Sequence, residues 1–452
     1  MNFKVTREDI LNGNIMKGLI KLAIPLMFLN LINVLYGIVD TYFVGRIGEL
    51  QVGAVSLVSP ITNCGIAFAF GLSAAGIAMI SRALGENDKA KANNIATHLI
   101  LLAIILGILI TVISLAFINP ILSWLNTPND IYLDTKAYYI GIAFDYVFLF
   151  ILTIFQAIRQ ANGDSKSGAV VNMIASLLNV FLDPLFIFVF KMGTLGAAIS
   201  TVLSKALVCP FAIKGLIDSN NGIYISFNRY KIELPIMGRI ITVAIPASLG
   251  QFLSSFGFVL MSKEIVSYGS IVMSGYGIGS HISSIFYIPV NSIGMALPTY
   301  IGQNLGAKNT NRAHESYRVS MKLVMIMAVF VIGVGLSTSR FMASLFVKNA
   351  SDRLIDISLE YANFSIGTSF FMGWFNSLCG VYNGSTNTKI AMILSAGRIL
   401  FIRMPIVYLL ARVTNLAYTG IWVSMIVSNL ITCVIGQIIY STYAWDQKAT
   451  TV

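Results

Sequence analysis

Residues 33–40 read Asn33-Val34-Leu35-Tyr36-Gly37-Ile38-Val39-Asp40, inside the first long apolar segment of the chain. The polar members of this stretch and its glycine recur at intervals of three and four residues, so in a helix they share one face. A carboxylate inside a bilayer costs at least about 2.5–3.5 kcal/mol and usually persists because it binds something. We therefore interpret Asp40 as part of an ion-binding site, lined on the same face by Asn33 and Tyr36. The alternative is that Asp40 is an exposed acid near an outer helix end.

The composition around this stretch is that of a membrane protein. Of the 452 residues, 56% are hydrophobic and only 11% are charged, whereas soluble domains carry about 25% charged residues. The polar residues are too few to cover a water-facing surface, so we predict an all-α protein with twelve transmembrane helices. The predicted spans are 15–44, 52–80, 93–118, 132–158, 167–190, 195–217, 236–265, 271–301, 315–339, 356–382, 388–411 and 418–441.

The basic residues of the chain are distributed unevenly along it. The net charge is +11, and most Lys and Arg residues fall in the N-terminal lead-in and in alternate loops, as at Lys89, Lys91 and Lys308. Cytoplasmic loops of membrane proteins carry this excess. We therefore predict a multi-pass protein of the plasma membrane with both termini cytoplasmic. Because topology accounts for the charge, we expect no nucleic-acid partner.

The sequence also repeats itself with one fixed offset. Short motifs recur 221 residues apart, for example at 246 − 25, and the matched pairs are Ala23–Pro25 with Ala244–Pro246, Leu84–Gly85 with Leu305–Gly306, Asn162–Gly163 with Asn383–Gly384, and Pro184 with Pro405. Each half holds six spans, which predicts a parallel repeat of two six-helix lobes. We place the N-terminal lobe at 1–217, a cytoplasmic linker at 218–235 and the C-terminal lobe at 236–452.

A second polar group lies in spans 5 and 6. Asn179 and Asp183 are four residues apart and share a helix face, Pro184 removes a backbone donor, and Thr201 adds a hydroxyl. Counted at about 1.5 Å per residue, these groups and Asp40 fall at nearly one depth in the outer half of the membrane. Such an oxygen-rich group suits Na⁺, or a proton shared by the two carboxylates. If the ion is Na⁺, the predicted metal ligands are Asp40, Asn179, Asp183 and Thr201.

The repeat indicates that this group is specific to the first half. With the offset of 221, the polar residues map onto apolar or aromatic side chains: Met261, Leu400, Met404 and Trp422. A purely structural role should have survived duplication more evenly. We therefore expect the ion site in the N-terminal lobe only.

Three cations within spans, Lys205, Arg398 and Arg403, need partners. Lys205 follows Thr201 by four residues, and its amine should find a carboxylate, either Asp183 or Asp145. An ammonium beside Asp183 would oppose Na⁺, which favours H⁺ as the coupling ion; pairing with Asp145, away from the site, would leave Na⁺ free to bind. Asp145 could instead meet a cationic substrate. Arg398 and Arg403 in span 11 fit cations that face helix carbonyls better than substrate ligands.

The sequence lacks the signatures of several other function classes. It contains no GxxxxGK[ST] loop and no Ser–His–Asp or metal-ligand constellation. We therefore expect no nucleotide partner, no cofactor besides the coupling ion, and no enzymatic activity. The four cysteines lie in apolar segments without CxxC spacing and are interpreted as small buried residues.

The motifs together resemble the multidrug and toxic compound extrusion (MATE) family. The resemblance rests on the two six-span halves, on Ala23–Pro25, on Tyr36–Asp40 followed by Val44–Gly48, and on Asn162–Lys166. Within the family the chain resembles the DinF-like branch, which implies a cation site at Asp40, Asn179, Asp183 and Thr201. The resemblance further implies a V-shaped bundle that exports amphipathic, often cationic compounds against H⁺ or Na⁺ entry. It also implies a hinge in span 1 at Pro25; Pro184 is the second predicted hinge.

These observations favour three candidate functions to different degrees. A cation-coupled antiporter for small amphipathic organic compounds fits the intramembrane acids. A flippase for a lipid-linked precursor is the alternative, which Lys205, Arg398 and Arg403 favour. A channel fits poorly, because the sequence has no repeated filter-like loop. We expect the protein to act as a monomer surrounded by membrane lipid.

Overall fold

The protein is built from long helices. The structure, a computed structural model, describes residues 3–125, 127–218, 222–227, 232–346, 352–414 and 416–446, and contains no β-strand in these ranges. The helices are α1 Arg7–Asn12, α2 Ile15–Gly45, α3 Glu49–Gly85, α4 Lys89–Ala116, α5 Ile118–Trp124, α6 Tyr132–Ala143, α7 Asp145–Ala161, α8 Ser165–Pro184, α9 Gly193–Ile217, α10 Leu234–Val266, α11 Ser270–Gly306, α12 Thr310–Phe346, α13 Asp352–Gly367, α14 Ser369–Gly384, α15 Thr388–Ala396, α16 Met404–Tyr408 and α17 Ala417–Thr442. Stretches of π-helix occupy Leu185–Val189, Gly397–Arg403 and Leu409–Val413.

The twelve predicted spans are present in this helix order. Among the described residues, nine helical segments are long and apolar enough to cross a membrane, and the bent pair α6–α7 makes a tenth. The remaining two are α11 and the pair α13–α14, which carry more polar residues. α11 shields its polar side chains inside the protein: Gln303 and Asn304 are 1% and 0% exposed. Burial against other helices therefore replaces the apolar surface that the other spans present to lipid.

Span 4 differs from the prediction. The sequence predicts one helix over 132–158, but the structure bends the chain by 40° between α6 and α7, at Phe144. The new helix begins at Asp145. An acid in the first turn of a helix faces unpaired backbone N–H groups, which stabilise its charge. The apolar pattern predicted Asp145 inside one continuous span, but in the structure Asp145 is the first residue of a separate helix.

The internal repeat is visible in the helix boundaries. α3 begins at Glu49 and ends at Gly85, whereas α11 begins at Ser270 and ends at Gly306, an offset of 221 residues at both ends (270 − 49 and 306 − 85). The turns that follow adopt the same left-handed conformation, with φ 61° at Asn87 and 58° at Lys308. The repeat is therefore one of structure as well as sequence. The lobe boundaries at 217 and 236 stay a prediction.

Helix α2 connects two separate cores. Its first half contributes Leu19 and Leu26 to a buried cluster formed mostly by residues 282–445, where Tyr300 packs over Gly18. Its last turn contributes Val44 to a cluster with Ile187 and Ala197. The predicted N-terminal lobe thus begins with a helix whose first half packs against the second half of the chain. Pro25 lies buried where α2 leaves the first of these cores.

The two halves are in close backbone contact at the end of the bundle that carries α1, here called the α1 end. A Cβ atom on Gly85 would lie 2.1 Å from the backbone oxygen of Gln303, and one on Gly306 would lie 2.1 Å from that of Arg82. The Gln303 side chain crosses the contact and donates to the Ala161 carbonyl at 2.9 Å. Only glycine permits this approach of α3 and α11.

The short helix α1 lies across this contact between α3 and α11 and forms hydrogen bonds with both halves of the chain. Arg7 donates from Nε and Nη2 to the carbonyls of Leu84 and Gly85, both at 2.8 Å, at the end of α3. From the other half, Arg312 donates to the carbonyls of Ile10 and Gly13. α1 is therefore held to both halves of the chain by charged donors on the free carbonyls of helix ends.

The predicted linker 218–235 is described only in part. Residues 219–221 and 228–231 lie outside the described ranges. In the described part, the backbone N–H of Tyr224 donates to Asn93 Oδ1 at 3.1 Å, and that of Glu233 donates to His98 Nε2 at 2.8 Å. The linker is therefore tied to the first turns of α4.

Candidate functional site

Helices α8 and α9 bring the predicted polar residues of spans 5 and 6 together. Asp183 is 0% exposed, and its Oδ1 accepts a hydrogen bond from Ser200 Oγ. With its nitrogen turned toward the carboxylate, the Asn179 amide donates to Asp183 Oδ2 at 2.8 Å, and its oxygen accepts from Thr201 Oγ1 at 3.2 Å. Both carboxylate oxygens thus have donors, as a buried ionised acid requires.

Tyr36 of span 1, on helix α2, also reaches this site. Tyr36 Oη lies 3.4 Å from Thr201 Oγ1, which places Tyr36 at the edge of the Asp183 network. Asp40, one turn further along α2, is partly exposed and makes no hydrogen bond to the described part of the chain. Its carboxylate is near enough to Asp183 and Tyr138 for the charges to interact. Asn179, Asp183 and Thr201 are therefore joined by hydrogen bonds, whereas Asp40 lies nearby, partly exposed and without a hydrogen bond to them.

Asn33 stands apart from this network. It is exposed, and its Oδ1 lies 3.4 Å from Ser176 Oγ, one turn before Asn179 on α8. The three-and-four spacing along α2 placed Asn33 on the correct face. It precedes Asp40 on α2 by about two turns and forms no hydrogen bond with Asp183, so its lining role stays a prediction.

Ser200 belongs to the site and was not identified from the sequence. It precedes Thr201 on α9 and is 0% exposed. The sequence singled out Thr201 from its depth, and the same depth argument applies to Ser200. Its position next to Thr201, in the span that packs against the span of Asp183, was the sequence signal that could have identified Ser200.

Lys205 pairs with Asp145 and not with Asp183. Its Nζ lies 2.5 Å from Asp145 Oδ2, and the pair joins α9 to the first turn of α7. The second carboxylate oxygen, Oδ1, is buried without a hydrogen bond within the described residues. The sequence left both acids open as partners. The ammonium therefore does not stand beside Asp183, and its position does not favour H⁺ over Na⁺ as the coupling ion.

The two predicted hinges, Pro25 and Pro184, lie in different kinds of backbone structure. Pro184 is the last residue of α8, and the π-helical stretch Leu185–Val189 follows it directly, so the backbone is irregular beside Asp183. Pro25 lies inside the continuous helix α2. A proline there leaves one backbone carbonyl without its usual donor. Bending at either residue stays a prediction.

The second half has no polar group at the equivalent place. Met261, Met404 and Trp422 lie in an apolar and aromatic cluster. The Tyr276 ring stacks on Trp422 at 6.0 Å, and the Tyr361 ring meets Trp422 edge-on at 4.8 Å. Methionine and aromatic side chains therefore stand in the second half where the first half has its polar residues. Among the described residues, no group of three or more His, Cys, Asp or Glu side chains could hold a metal ion, so Na⁺ binding would depend on amide and hydroxyl oxygens as well.

Comparison with known proteins places this site in a family context. The model of the MatE family matches residues 25–185 and 246–409, and its two matches begin 221 residues apart, which is the offset of the internal repeat. The chain is 24% identical over 449 residues to the probable multidrug resistance protein NorM of Thermotoga maritima, covering 96% of this chain and 94% of that protein. It is 30% identical over 312 residues to the probable multidrug resistance protein YpnP of Bacillus subtilis, covering 67% and 68% of the two chains.

Solved structures show the same fold. The structure superposes with a TM-score of 0.91 on a multidrug resistance MATE family transporter of the MOP superfamily, solved in an outward-facing conformation. The match covers 97% of both chains at 21% sequence identity. With its twelve helical spans and a MatE match in each half, the chain belongs to the MatE family and is a multi-pass membrane transporter, not an enzyme.

Proposed function

We propose that this protein is a secondary active antiporter that exports amphipathic organic cations in exchange for an inward-moving monovalent cation. The observation that carries the proposal is the enclosed Asp183 with the accessible Asp40 beside it, in the membrane-spanning part of a transporter. Two neighbouring carboxylates in a poorly solvated place repel each other, so one cation bound between them is favoured. The multidrug resistance names of the relatives support an organic substrate.

The site is built to respond to occupancy. Asn179 turns its nitrogen toward the Asp183 carboxylate and its oxygen toward Thr201. A bound proton or Na⁺ removes the negative charge that holds this orientation, and a rotated amide would offer its oxygen instead. Because α2 carries Asp40 at one end and packs against the second half at the other, movement of Asp40 toward the loaded site is passed along α2 and past Pro25.

The coupling ion is H⁺ or Na⁺, and a transport assay separates them. Everted membrane vesicles should accumulate ethidium when their lumen is acidic without Na⁺, or when it is rich in Na⁺ at equal pH. The gradient that drives uptake identifies the ion. Because Lys205 is neutralised by Asp145, the double variant Lys205→Met with Asp145→Asn should keep the wild-type ion preference. Ethidium uptake that is the same with and without either gradient would contradict cation coupling. Transport of a lipid-linked precursor, without transport of ethidium, would favour the flippase.

We propose that the α1 end faces the cytoplasm and that both termini lie there, in the plasma membrane. The basic residues at this end support the assignment. Hydrogen bonds between the halves also cluster at this end, as at Gln160 to Met295 and Gln303 to Ala161. A closed α1 end leaves Asp40 accessible from the opposite side, which is the arrangement for ion entry from outside. Membership of the DinF-like branch and a monomeric state remain part of this proposal.

Cysteine labelling tests the topology. Lys89 and Ser270 are exposed and lie at opposite ends of the bundle, after the end of α3 and at the start of α11. In intact cells, a membrane-impermeant maleimide should label Ser270→Cys and leave Lys89→Cys unlabelled; in everted vesicles the pattern should reverse. The unmodified chain, whose four cysteines are buried or half-buried, gives the background. The opposite pattern would invert the proposed orientation.

A further inference from the structure

Two arginines are buried side by side in the second half of the chain. Arg398 is 6% exposed and Arg403 is 1% exposed. Both belong to the π-helical stretch Gly397–Arg403. A π-helix closes its hydrogen bonds between residues five apart, so it stacks residues 398 and 403 on nearly the same face. In a regular α-helix, the same spacing would point the two side chains in clearly different directions.

No carboxylate of the described residues pairs with these arginines, and the Arg398 guanidinium lies over the Phe375 ring, 4.3 Å from its centroid. Arg403 donates from Nη2 to Asn429 Oδ1 at 2.8 Å and from Nε to Ser428 Oγ at 2.9 Å, and Arg398 donates from Nη1 to the same Asn429 oxygen at 3.1 Å. One neutral amide oxygen thus serves two guanidinium groups. Within the described residues, neither group forms an ion pair with a carboxylate, and Arg398 Nε is buried without a hydrogen bond.

A comparison within the chain shows what is missing. Lys205, the other cation well inside a span, contacts Asp145 at 2.5 Å. Removing one member of a buried ion pair is strongly destabilising, because a buried charge is then left without compensation. Two adjacent guanidinium groups without an acid are in that situation. A bound anion would supply the missing charge.

Arg398 is one of the residues that line a groove in the second half of the chain. The cavity has a volume of about 350 Å³ and lies between α10, the π-helical stretch and α17. Apart from Arg398, its walls are mostly apolar, including Leu253, Ile393, Phe401 and Ile435. Phe401 is 77% exposed and Ile393 60%, so the groove is open at the side of the bundle. A volume of this size and lining suits a small amphipathic ligand.

We propose that this groove binds an amphipathic organic anion, with its carboxylate or phosphate group on Arg398 and its apolar part along Phe401 and Ile435. Arg398 lies ten residues after the start of α15, about 15 Å along the helix, which is roughly half of a hydrocarbon core of about 30 Å. A lipid of the surrounding bilayer keeps its headgroup at the interface, so the occupant is a solute taken into the protein. The site is separate from Asp40 and Asp183 and does not depend on ion coupling.

Binding can be measured without any ion gradient. The probe is 11-(dansylamino)undecanoic acid, and its methyl ester is the uncharged match. Energy transfer from the protein's tryptophans to dansyl is followed in dodecyl maltoside micelles, since Trp422 lies on α17 close to Ser428 and Asn429. We expect the acid to bind roughly tenfold more tightly than the ester, which corresponds to one charge-assisted contact. Arg398→Gln should remove this preference.

Matched variants separate charge from packing. Arg398→Lys keeps the positive charge and should keep most of the preference for the acid. Arg239→Gln removes an exposed arginine of α10 and should leave binding unchanged. Equal affinity of acid and ester in the wild type, or an unchanged preference in a folded Arg398→Gln variant, would overturn the proposal. Displacement of the probe by dioctanoyl phosphatidylglycerol, but not by dioctanoyl phosphatidylcholine, would identify a lipid as the occupant and overturn the assignment to a solute.

Discussion

Replacing Asp183 with Asn is expected to reduce substrate efflux to the rate of vesicles that lack the protein. The amide has the shape of the acid and can still accept the hydrogen bond from Ser200, so helices α8 and α9 should stay together. It cannot carry a negative charge, so it neither attracts Na⁺ nor takes up a proton. Asp40→Asn should have the same effect, because either substitution leaves a single carboxylate where the proposed exchange requires two.

The internal repeat supplies the control for this experiment. Met261 and Met404 occupy the positions in the second half that correspond to Asp40 and Asp183, and both lie in or against an apolar cluster. Met261→Leu and Met404→Leu change shape without changing charge, and volume-conserving swaps of this kind usually cost less than about 1.5 kcal/mol. Efflux should remain near the wild-type rate in both. If the two halves proved equally sensitive, or if Asp183→Asn still exported substrate against a gradient, the one-lobe ion site would be wrong.

The positions of the site residues followed from periodicity and depth. The spacing of Asn179 and Asp183 fixes a shared face on any helix, and counting residues from the span ends gives a height, so their meeting with Thr201 could be predicted. Tyr36 was placed near them by the same argument. These inferences need only the geometry of regular helices, which the apolar pattern establishes for α2, α8 and α9.

The contacts that depend on irregular backbone or on a choice between partners could not be predicted. The bend at Phe144 places Asp145 at a helix start, where it meets Lys205; in a straight span 4, either acid remained a candidate. The π-helical stretch that aligns Arg398 with Arg403 has no periodic signature in the sequence, so the two residues were interpreted as separate packing cations. In both places one backbone irregularity decides which charges lie together.

Replacing Gly306 with Ala is expected to lower efflux by about fivefold or more, because overpacking destabilises the close contact of α3 and α11 by about 1–3 kcal/mol. The added Cβ would lie 2.1 Å from the Arg82 carbonyl oxygen and 3.0 Å from the Glu86 amide nitrogen. Both are backbone atoms, so α3 and α11 must separate at the α1 end. Alanine has the higher helix propensity, by about 1 kcal/mol, so the loss would come from the contact between the halves and not from the helix.

Separation of the two helices can be observed directly. Ser81 is 0% exposed and lies where α3 meets Gly302 of α11. In Ser81→Cys, a membrane-impermeant maleimide applied to everted vesicles should react faster once Gly306→Ala is added. Gly277→Ala is the matched control, because it lies on the same helix and its added Cβ meets nothing within 4 Å. Wild-type efflux and unchanged labelling in Gly306→Ala would show that transport does not require this close contact at the α1 end.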